Sequence, residues 1–195
     1  MIVSLQNRKK VRVRLVRQDD MESLYDYLQL LSPESRSRFG PHPFDLGTVH
    51  AIFDQPDSTI QRYVAIDATE NNIIAYMLIS QGMIGADQQR YSERNQYFDP
   101  ATTVTFAPSV ADAWQSSGLG TAMANIIEED LRKKNIRHVI LWGGVQATNF
   151  KALNYYTKLG YRYIDSFWFD DKDNHDMMKE LRPMESISTN LVDKQ

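Results

Sequence analysis

A strand, a glycine-bearing turn and a long amphipathic helix follow one another in residues 102–134, and this succession most constrains the fold. Residues 102–110 are rich in Thr, Val and Phe, the composition of a strand. From residue 118 to residue 134, apolar side chains recur at helical spacing, namely Leu119, Met123, Ile126, Ile127 and Leu131. A further strand at 136–142 and a further helix at 149–159 follow. This half of the chain therefore predicts alternating strands and helices.

The other segments predict how the sheet is completed. Residues 11–17 alternate like a half-buried strand, and 62–67 with 73–80 indicate an antiparallel hairpin. Residues 161–169 and 176–181 predict a final hairpin around the polar turn 170–176, whereas 81–100 lack a clean period and predict a loop. Helices are expected at 21–31, from residue 33 onward, and at 46–53. The predicted fold is α/β, with a mixed, mainly antiparallel sheet of six to seven strands and helices on both faces.

Composition limits the class of protein. The chain has 195 residues, 42% of them hydrophobic, which suits one domain; we expect it to span 1–182, followed by a flexible polar tail at 183–195. Because the chain has no Cys, a disulfide scaffold is excluded. The net charge of -3 disfavours general nucleic-acid binding, and no segment approaches the roughly 18 apolar residues of a membrane span. We therefore expect a cytoplasmic protein that binds neither nucleic acid nor membrane.

The glycine turn is suited to holding a phosphate group. Gly118 and Gly120 lack a Cβ, so the backbone can turn sharply and bring its amide N–H groups close to an anion. The following helix adds its unpaired first-turn amides and the positive end of its dipole. A dinucleotide fingerprint would need a third Gly where Met123 stands, and a nucleotide P-loop would need a Gly-Lys-Ser/Thr triplet that the chain lacks. The alternative is a helix-start turn that binds no ligand.

Two motifs in this half of the chain resemble those of one enzyme family. The turn reads Gln115-x-x-Gly118-x-Gly120, and about thirty residues later the chain reads Asn149-x-x-Ala152-x-x-Tyr155-Tyr156-x-Lys158-Leu159-Gly160-Tyr161. Their order, spacing and strand-helix context resemble the acyl-coenzyme A signatures of the GNAT N-acetyltransferase superfamily. The likeness covers residues 102–182 well and the N-terminal part more loosely. It implies a sheet that splays at its centre, between the strands predicted at 102–110 and 136–142.

The resemblance also implies a ligand set and a reaction. Acetyl-CoA would be the co-substrate, and a primary amine, of a small molecule or of a protein, would attack it directly in a ternary complex. The residues that would hold acetyl-CoA are Val110, Gln115, Ser117, Gly118, Leu119, Gly120, Thr121, Ala122 and Asn149. The amides of 117–122 would wrap the pyrophosphate, and the strand backbone at Val110 would pair with the pantetheine arm. Asn149 would bond the pantetheine or simply cap its helix.

The same resemblance assigns part of the catalytic chemistry. An amide near Ser109 or Val110 would stabilise the oxyanion, and Pro108 predicts a bulge in that strand. Tyr156 occupies the family's general-acid position, where it would protonate the departing thiolate; the alternative is a core aromatic residue. A phenol with a pKa of about 10 and a thiol with a pKa of about 8.5 make this transfer uphill by roughly 2 kcal/mol.

The expected strand supplies no general base, since residues 102–110 contain no carboxylate. Candidates elsewhere are Glu93, Asp99, Asp112 and His138, acting through water, although each is more typical of a solvated surface position than of a base. The missing carboxylate leaves open a non-catalytic acyl-CoA-binding or regulatory domain. The four His are scattered without ligand spacing, so no metal is expected. A homodimer is compatible with the resemblance.

Overall fold

The computed structural model describes residues 1–5 and 8–182, so the tail predicted at 183–195 lies outside the described residues. The strands are β1 (Ile2–Ser4), β2 (Lys10–Leu15), β3 (Ile60–Asp67), β4 (Ile73–Gln81), β5 (Thr103–Val110), β6 (His138–Leu141), β7 (Val145–Gln146), β8 (Arg162–Phe169) and β9 (Lys172–Glu180). The α-helices are α1 (Met21–Leu30), α2 (Pro33–Ser37), α3 (Leu46–Asp54), α4 (Gly85–Glu93), α5 (Leu119–Lys133) and α6 (Phe150–Lys158).

All of these strands belong to one sheet, in the spatial order β1-β2-β3-β4-β5-β6-β9-β7, with β8 paired to β9. β5 and β6 run parallel, and the other strand pairs of the described residues are antiparallel. The predicted fold class is therefore confirmed. The described sheet has nine strands rather than six or seven, because β1 and β7 are too short, at three and two residues, to show a periodic pattern.

Helices cover both faces of the sheet, as predicted. One face packs against α5 and α6, where Met123 and Ile127 meet Met77 of β4 in a shared apolar cluster. The other face packs against α1 and α3 through a second cluster that includes Leu28 and Phe53. In the described part of the chain, no helix is both long and apolar enough to cross a membrane.

The sheet opens at its centre, between β5 and β6. The two strands pair from Thr103, opposite His138, to Phe106, opposite Leu141. The Trp142 N–H donates to the Phe106 carbonyl at 2.9 Å. β5 then continues to Val110, whereas β6 has already ended. A gap therefore begins beside the last four residues of β5.

The bulge predicted at Pro108 is wrong. The pairing of β4 with β5 is continuous from Gln81, opposite Val104, to Ala75, opposite Val110. The Ala111 N–H donates to the Ile74 carbonyl at 2.9 Å, so the odd-numbered residues of β5 direct their amides to β4. The nitrogen of Pro108 consequently faces the gap. Since β6 does not pair with β5 at this position, the missing N–H of Pro108 costs the sheet no hydrogen bond.

Two other segments differ from their predictions. Residues 81–100, predicted as a loop, contain α4, whose buried residues are Asp87 and Tyr91. Because α4 buries only one carboxylate and one aromatic ring, it shows no apolar stripe in the sequence. The final hairpin turns at residues 170–171 rather than over 170–176, because Asn174 and Asp176 are buried strand residues despite their polarity.

Candidate functional site

The glycine turn has the geometry of an open helix N-terminus. Gly118 is the N-cap residue of α5 and has a φ of 86°, a left-handed conformation that favours glycine. Gly118 has no side chain to cap this end of α5, and the Ser117 Oγ accepts from the Leu119 N–H at 3.4 Å. Backbone amides in the first turn of a helix have no intrahelical carbonyl to which they can donate. In α5 these are the amides of Leu119, Gly120 and Thr121. The turn can therefore offer several N–H groups to an anion.

Side chains around the turn tie it to β5 and α6. The Gln115 Nε2 donates to the Val110 carbonyl at 3.3 Å, and its Oε1 accepts from the Lys151 Nζ at 2.7 Å. The Ser117 Oγ donates to the Trp114 carbonyl at 2.6 Å. The side chains of Gln115 and Ser117 thus brace the turn.

The backbone of β5 presents an amide to the gap. The Phe106 carbonyl accepts from the Trp142 N–H, so the backbone N–H and C=O groups of the even-numbered residues of β5 point away from β4. Beyond Phe106, where β6 has ended, these groups point into the gap. The Val110 N–H therefore points into the gap, while the Ser109 N–H points to β4, opposite Tyr76. Of the two oxyanion donors predicted from sequence, only Val110 has the required orientation.

A cavity of about 420 Å³ lies beside the gap. Its walls come from the end of α2, from α4, from the β6–β7 turn, from α6 and from the β8–β9 hairpin. Asn149 and Tyr156 both line it, whereas residues 117–122 of the glycine turn do not. Asn149 also caps α6, since its Oδ1 accepts from the Ala152 N–H at 3.2 Å. The helix-cap interpretation of Asn149 is therefore confirmed.

Tyr156 lies at the inner side of this cavity and also belongs to the core. Its side chain is buried, and its ring lies 5.1 Å from that of Tyr155 and 5.4 Å from that of Tyr161, centroid to centroid. Burial raises the pKa of the Tyr156 hydroxyl well above its ordinary value, and Tyr155 adds to the shift. The hydroxyl is therefore protonated throughout the neutral range.

None of the four residues suggested as a base lines the cavity formed by the described residues. Glu93 and Asp99 are exposed and accept hydrogen bonds from Gln89 Nε2 and the Ala101 N–H, respectively. His138 begins β6, at the end away from the gap, with its ring 4.9 Å from that of Phe98. Its position leaves it too remote to act in the gap.

Asp112 lies nearer the site but serves another contact. Its Oδ1 accepts from the Ser35 Oγ at 2.6 Å and from the Ser32 Oγ at 3.0 Å, which ties the start of α2 to the chain after β5. Although burial opposes the shift, the hydrogen bonds from Ser35 and Ser32 lower the pKa of Asp112 below its ordinary value. A carboxylate of lowered pKa is a weak base.

Sequence reasoning missed a buried ionic cluster at the cavity wall. The Asp87 Oδ1 accepts from the Arg90 Nη2 at 2.5 Å, and its Oδ2 accepts from the Gly143 N–H at 3.1 Å. Asp176 of β9 accepts from Arg90 at 2.9 Å and from Arg94 at 3.1 Å. Burial raises the pKa of Asp87, although the Gly143 amide and Arg90 act in the opposite direction. In the sequence, the one sign of this cluster is the i,i+3 spacing of Asp87 and Arg90, which lets two oppositely charged side chains meet on a helix.

Known proteins resemble this chain in sequence and in fold. Residues 24–161 match the model of the acetyltransferase (GNAT) family. Comparison of the sequence with curated proteins finds no match.

Among solved structures, the GNAT domain of S. lividans PAT is 22% identical, with a TM-score of 0.73, over 93% of this chain and 96% of that one. A GCN5-related N-acetyltransferase from Kribbella flavida is 16% identical, with a TM-score of 0.65, over 88% and 98%. A spermidine N-acetyltransferase chimera from Vibrio cholerae is 15% identical, with a TM-score of 0.64, over 88% and 95%. At these identities the likeness establishes the fold.

Proposed function

The chain belongs to the acetyltransferase (GNAT) family of acyltransferases, and on that premise we propose that it transfers the acetyl group of acetyl-CoA to a primary amine. The amine attacks the thioester directly while both substrates are bound. No covalent enzyme intermediate is formed through a thiol, because the chain contains no Cys. The catalytic domain is the predicted 1–182 unit, and the cytoplasmic location and the homodimer stay predictions.

The observation that carries this proposal is the opening between β5 and β6 beside the N-terminus of α5, whose N-cap residue is Gly118. The opening gives an extended ligand arm a strand edge to pair with, and Val110 offers an amide there. In the proposed reaction this N–H donates to the acetyl carbonyl oxygen as negative charge develops on it. Loss of one such donor typically lowers a rate by about 10²-fold or more.

The pyrophosphate of acetyl-CoA is proposed to bind at the glycine turn. The backbone amides of 117–122 and the positive end of the α5 dipole supply the attraction, without a charged side chain. The pantetheine arm then runs along Val110 toward Asn149. With its Oδ1 occupied by the α6 cap, Asn149 would contact the arm through its amide nitrogen.

Tyr156 is proposed as the acid that protonates the departing thiolate. It lines the cavity, and its raised pKa keeps the proton on the hydroxyl at neutral pH. The same shift makes the transfer to a thiolate costlier than the roughly 2 kcal/mol expected for an ordinary phenol. Transfer therefore requires the hydroxyl to lie within hydrogen-bond reach of the sulfur, where solvent cannot compete.

The acceptor amine must lose its proton before it attacks. A lysine-like amine with a pKa of about 10.4 costs roughly 4.6 kcal/mol to deprotonate at pH 7, whereas an α-amine near 8 costs about 1.4 kcal/mol. We propose that a base relayed through water assists this step, since β5 carries no carboxylate. A rate that stays flat between pH 6 and pH 9 with a lysine-like acceptor would contradict a titrating base.

The direct test combines binding and turnover. Calorimetry should detect saturable binding of acetyl-CoA, and an amine panel should then release free CoA thiol at a rate that depends on the amine. The missing strand carboxylate favours one rival function, a non-catalytic acyl-CoA-binding domain. Saturable binding without amine-dependent thiol release would support that rival, and absence of binding would reject both.

A further inference from the structure

The cavity wall formed by α4 presents a guanidinium group. Arg90 lines the cavity, and its side chain keeps 17% of its surface exposed. The guanidinium carbon lies 3.6 Å from the ring centroid of Phe167, which covers one face of the group. Because the N–H groups of a guanidinium lie in its plane, Arg90 can donate to a ligand through its edge.

Buried carboxylates fix the orientation of this edge. The Arg90 Nη2 donates to Asp87 at 2.5 Å and to Asp176 at 2.9 Å, and its Nε donates to Asp176 at 3.2 Å. The side chains of Asp87 and Asp176 are both 0% exposed, and their oxygens accept from Arg90, Arg94 and the Gly143 N–H, although Asp87 itself belongs to the cavity wall. Within the described residues, Nη1 is the guanidinium nitrogen that makes no hydrogen bond. What the ionic cluster offers a ligand is a positively charged donor.

We infer that Arg90 binds a carboxylate of the acceptor, so that the acceptor is a small amine that also carries a carboxylate, as amino acids do. This inference rests on the proposed N-acetyltransferase function and names its substrate class. A charge-assisted hydrogen bond from Nη1 would hold the carboxylate while the amine faces the gap.

The other basic residues of the lining pair with exposed carboxylates. Lys172 lies 3.5 Å from Asp170, and Arg38 lies 2.7 Å from Glu34. Arg90 differs from them because its partners are fully buried, so the group is held in place before the ligand arrives and loses little side-chain entropy on binding. A volume of about 420 Å³ lies within the range of small-molecule sites, which favours an amino-acid-sized acceptor.

Matched acceptor pairs test the inference on the unmodified protein. Each pair consists of an amino acid and the same amine without its carboxylate, for example lysine with 1,5-diaminopentane, and a second set uses amino-acid amides. We expect kcat/KM at saturating acetyl-CoA to be at least tenfold higher for the carboxylate-bearing member. Equal or better turnover of the amines without a carboxylate would overturn the inference and leave the proposed function intact.

Two arginine variants on the same helix separate recognition from folding. Arg90→Met removes the cavity-facing charge, whereas Arg94→Met removes a guanidinium that also pairs with Asp176 but does not line the cavity. We expect Arg90→Met to reduce the preference for the carboxylate to within threefold of unity, and Arg94→Met to retain it. A preference that survives in Arg90→Met would assign the selectivity elsewhere and reject the role of Arg90.

A binding measurement covers the case in which Arg90→Met does not fold. The probes are N-acetyl amino acids and their amides, the products that the two acceptor classes would give, titrated into the unmodified protein in the presence of CoA. At least tenfold tighter binding of the acid is the expected result, and equal binding would reject the inference. If the acids bind tighter but no amine releases CoA, the proposed transfer fails while the carboxylate site stands.

Discussion

The α-carbon of Gly120 faces the hydroxyl of Tyr155. A Cβ built at residue 120 would lie 3.2 Å from the Tyr155 Oη and 3.4 to 3.5 Å from the nearest ring carbons. The Tyr155 Oη is buried and has no hydrogen-bond partner among the described residues. The first turn of α5 and the middle of α6 therefore meet at a contact that a single methyl group would tighten.

This contact predicts that substitutions at the two residues are coupled. Ala in place of Gly inside a helix should stabilise the ligand-free protein by about 0.5 to 1 kcal/mol. In Gly120→Ala the tight approach to the Tyr155 Oη should cancel that gain, and in the background of Tyr155→Phe the gain should reappear. Urea unfolding of both single variants and of the double variant measures the coupling. The same effect of Gly120→Ala in both backgrounds would contradict it.

Tyr156→Phe should reduce kcat with the best amine acceptor by about 100-fold, because it removes the hydroxyl that we propose to protonate the thiolate. The dissociation constant of acetyl-CoA should change less than threefold, since the ring and its packing are kept. Tyr155→Phe is the matched control: it removes a neighbouring hydroxyl that does not line the cavity, and it should retain kcat within about twofold.

The control also decides what a negative result means. Equal activity of Tyr156→Phe and the unmodified protein between pH 6 and pH 9 would remove Tyr156 from the chemistry and leave it as a core residue. Equal losses in both phenylalanine variants would point to α6 packing rather than to proton transfer.

The second half of the fold was predictable because its signals are local. The apolar stripe of α5, which includes Met123 and Ile127, repeats at helical spacing, and Gly118 precedes it at the turn. The cap at Asn149 likewise lies within three residues of its partner. For such elements, the pattern that predicts the structure lies in residues close together in the chain.

The cavity wall was not predictable for the opposite reason. Arg90 and Asp176 are 86 positions apart, and their pairing depends on α4 lying against β9. In the sequence each is an ordinary surface charge, and the burial of Asp87 conceals the inward face of α4 from any hydrophobic pattern. Polar contacts made in three dimensions therefore determine the part of the cavity that we propose to select the acceptor.

Gly118→Ala should weaken acetyl-CoA binding by about tenfold and destabilise the protein by about 1 to 2 kcal/mol, because a residue with a Cβ resists a φ of 86°. Gly85→Ala is the control, since Gly85 begins α4 without a positive φ and a Cβ there would meet open space. Calorimetry with acetyl-CoA measures the affinity. Lower stability with unchanged affinity in Gly118→Ala would mean that the turn does not hold the pyrophosphate.

A buried ion pair next to α1 predicts a pH dependence of stability. The two oxygens of Asp20 accept from Arg14 at 2.5 and 2.7 Å, and its Oδ2 also accepts from the Arg17 N–H at 2.7 Å. Although burial opposes the shift, Arg14 and the Arg17 amide lower the pKa of Asp20 below its ordinary value. A lowered pKa means that the pair stabilises the fold above the unfolded-state pKa of about 3.9, and that this contribution disappears as the pH falls through the folded-state pKa.

Asp20→Asn should therefore lower the free energy of unfolding by about 2 kcal/mol at pH 7, the value expected for hydrogen bonds to a charged partner. Asn retains an acceptor for the Arg17 N–H but loses the charge that pairs with Arg14. The difference from the unmodified protein should shrink as the pH falls below about 4, because protonation removes the same charge from Asp20. Asp19→Asn, at an exposed neighbouring position, should show a difference below about 0.5 kcal/mol at both pH values. If urea unfolding gives Asp20→Asn the same deficit at pH 3 as at pH 7, the packing of residue 20 rather than its charge stabilises this corner of the fold.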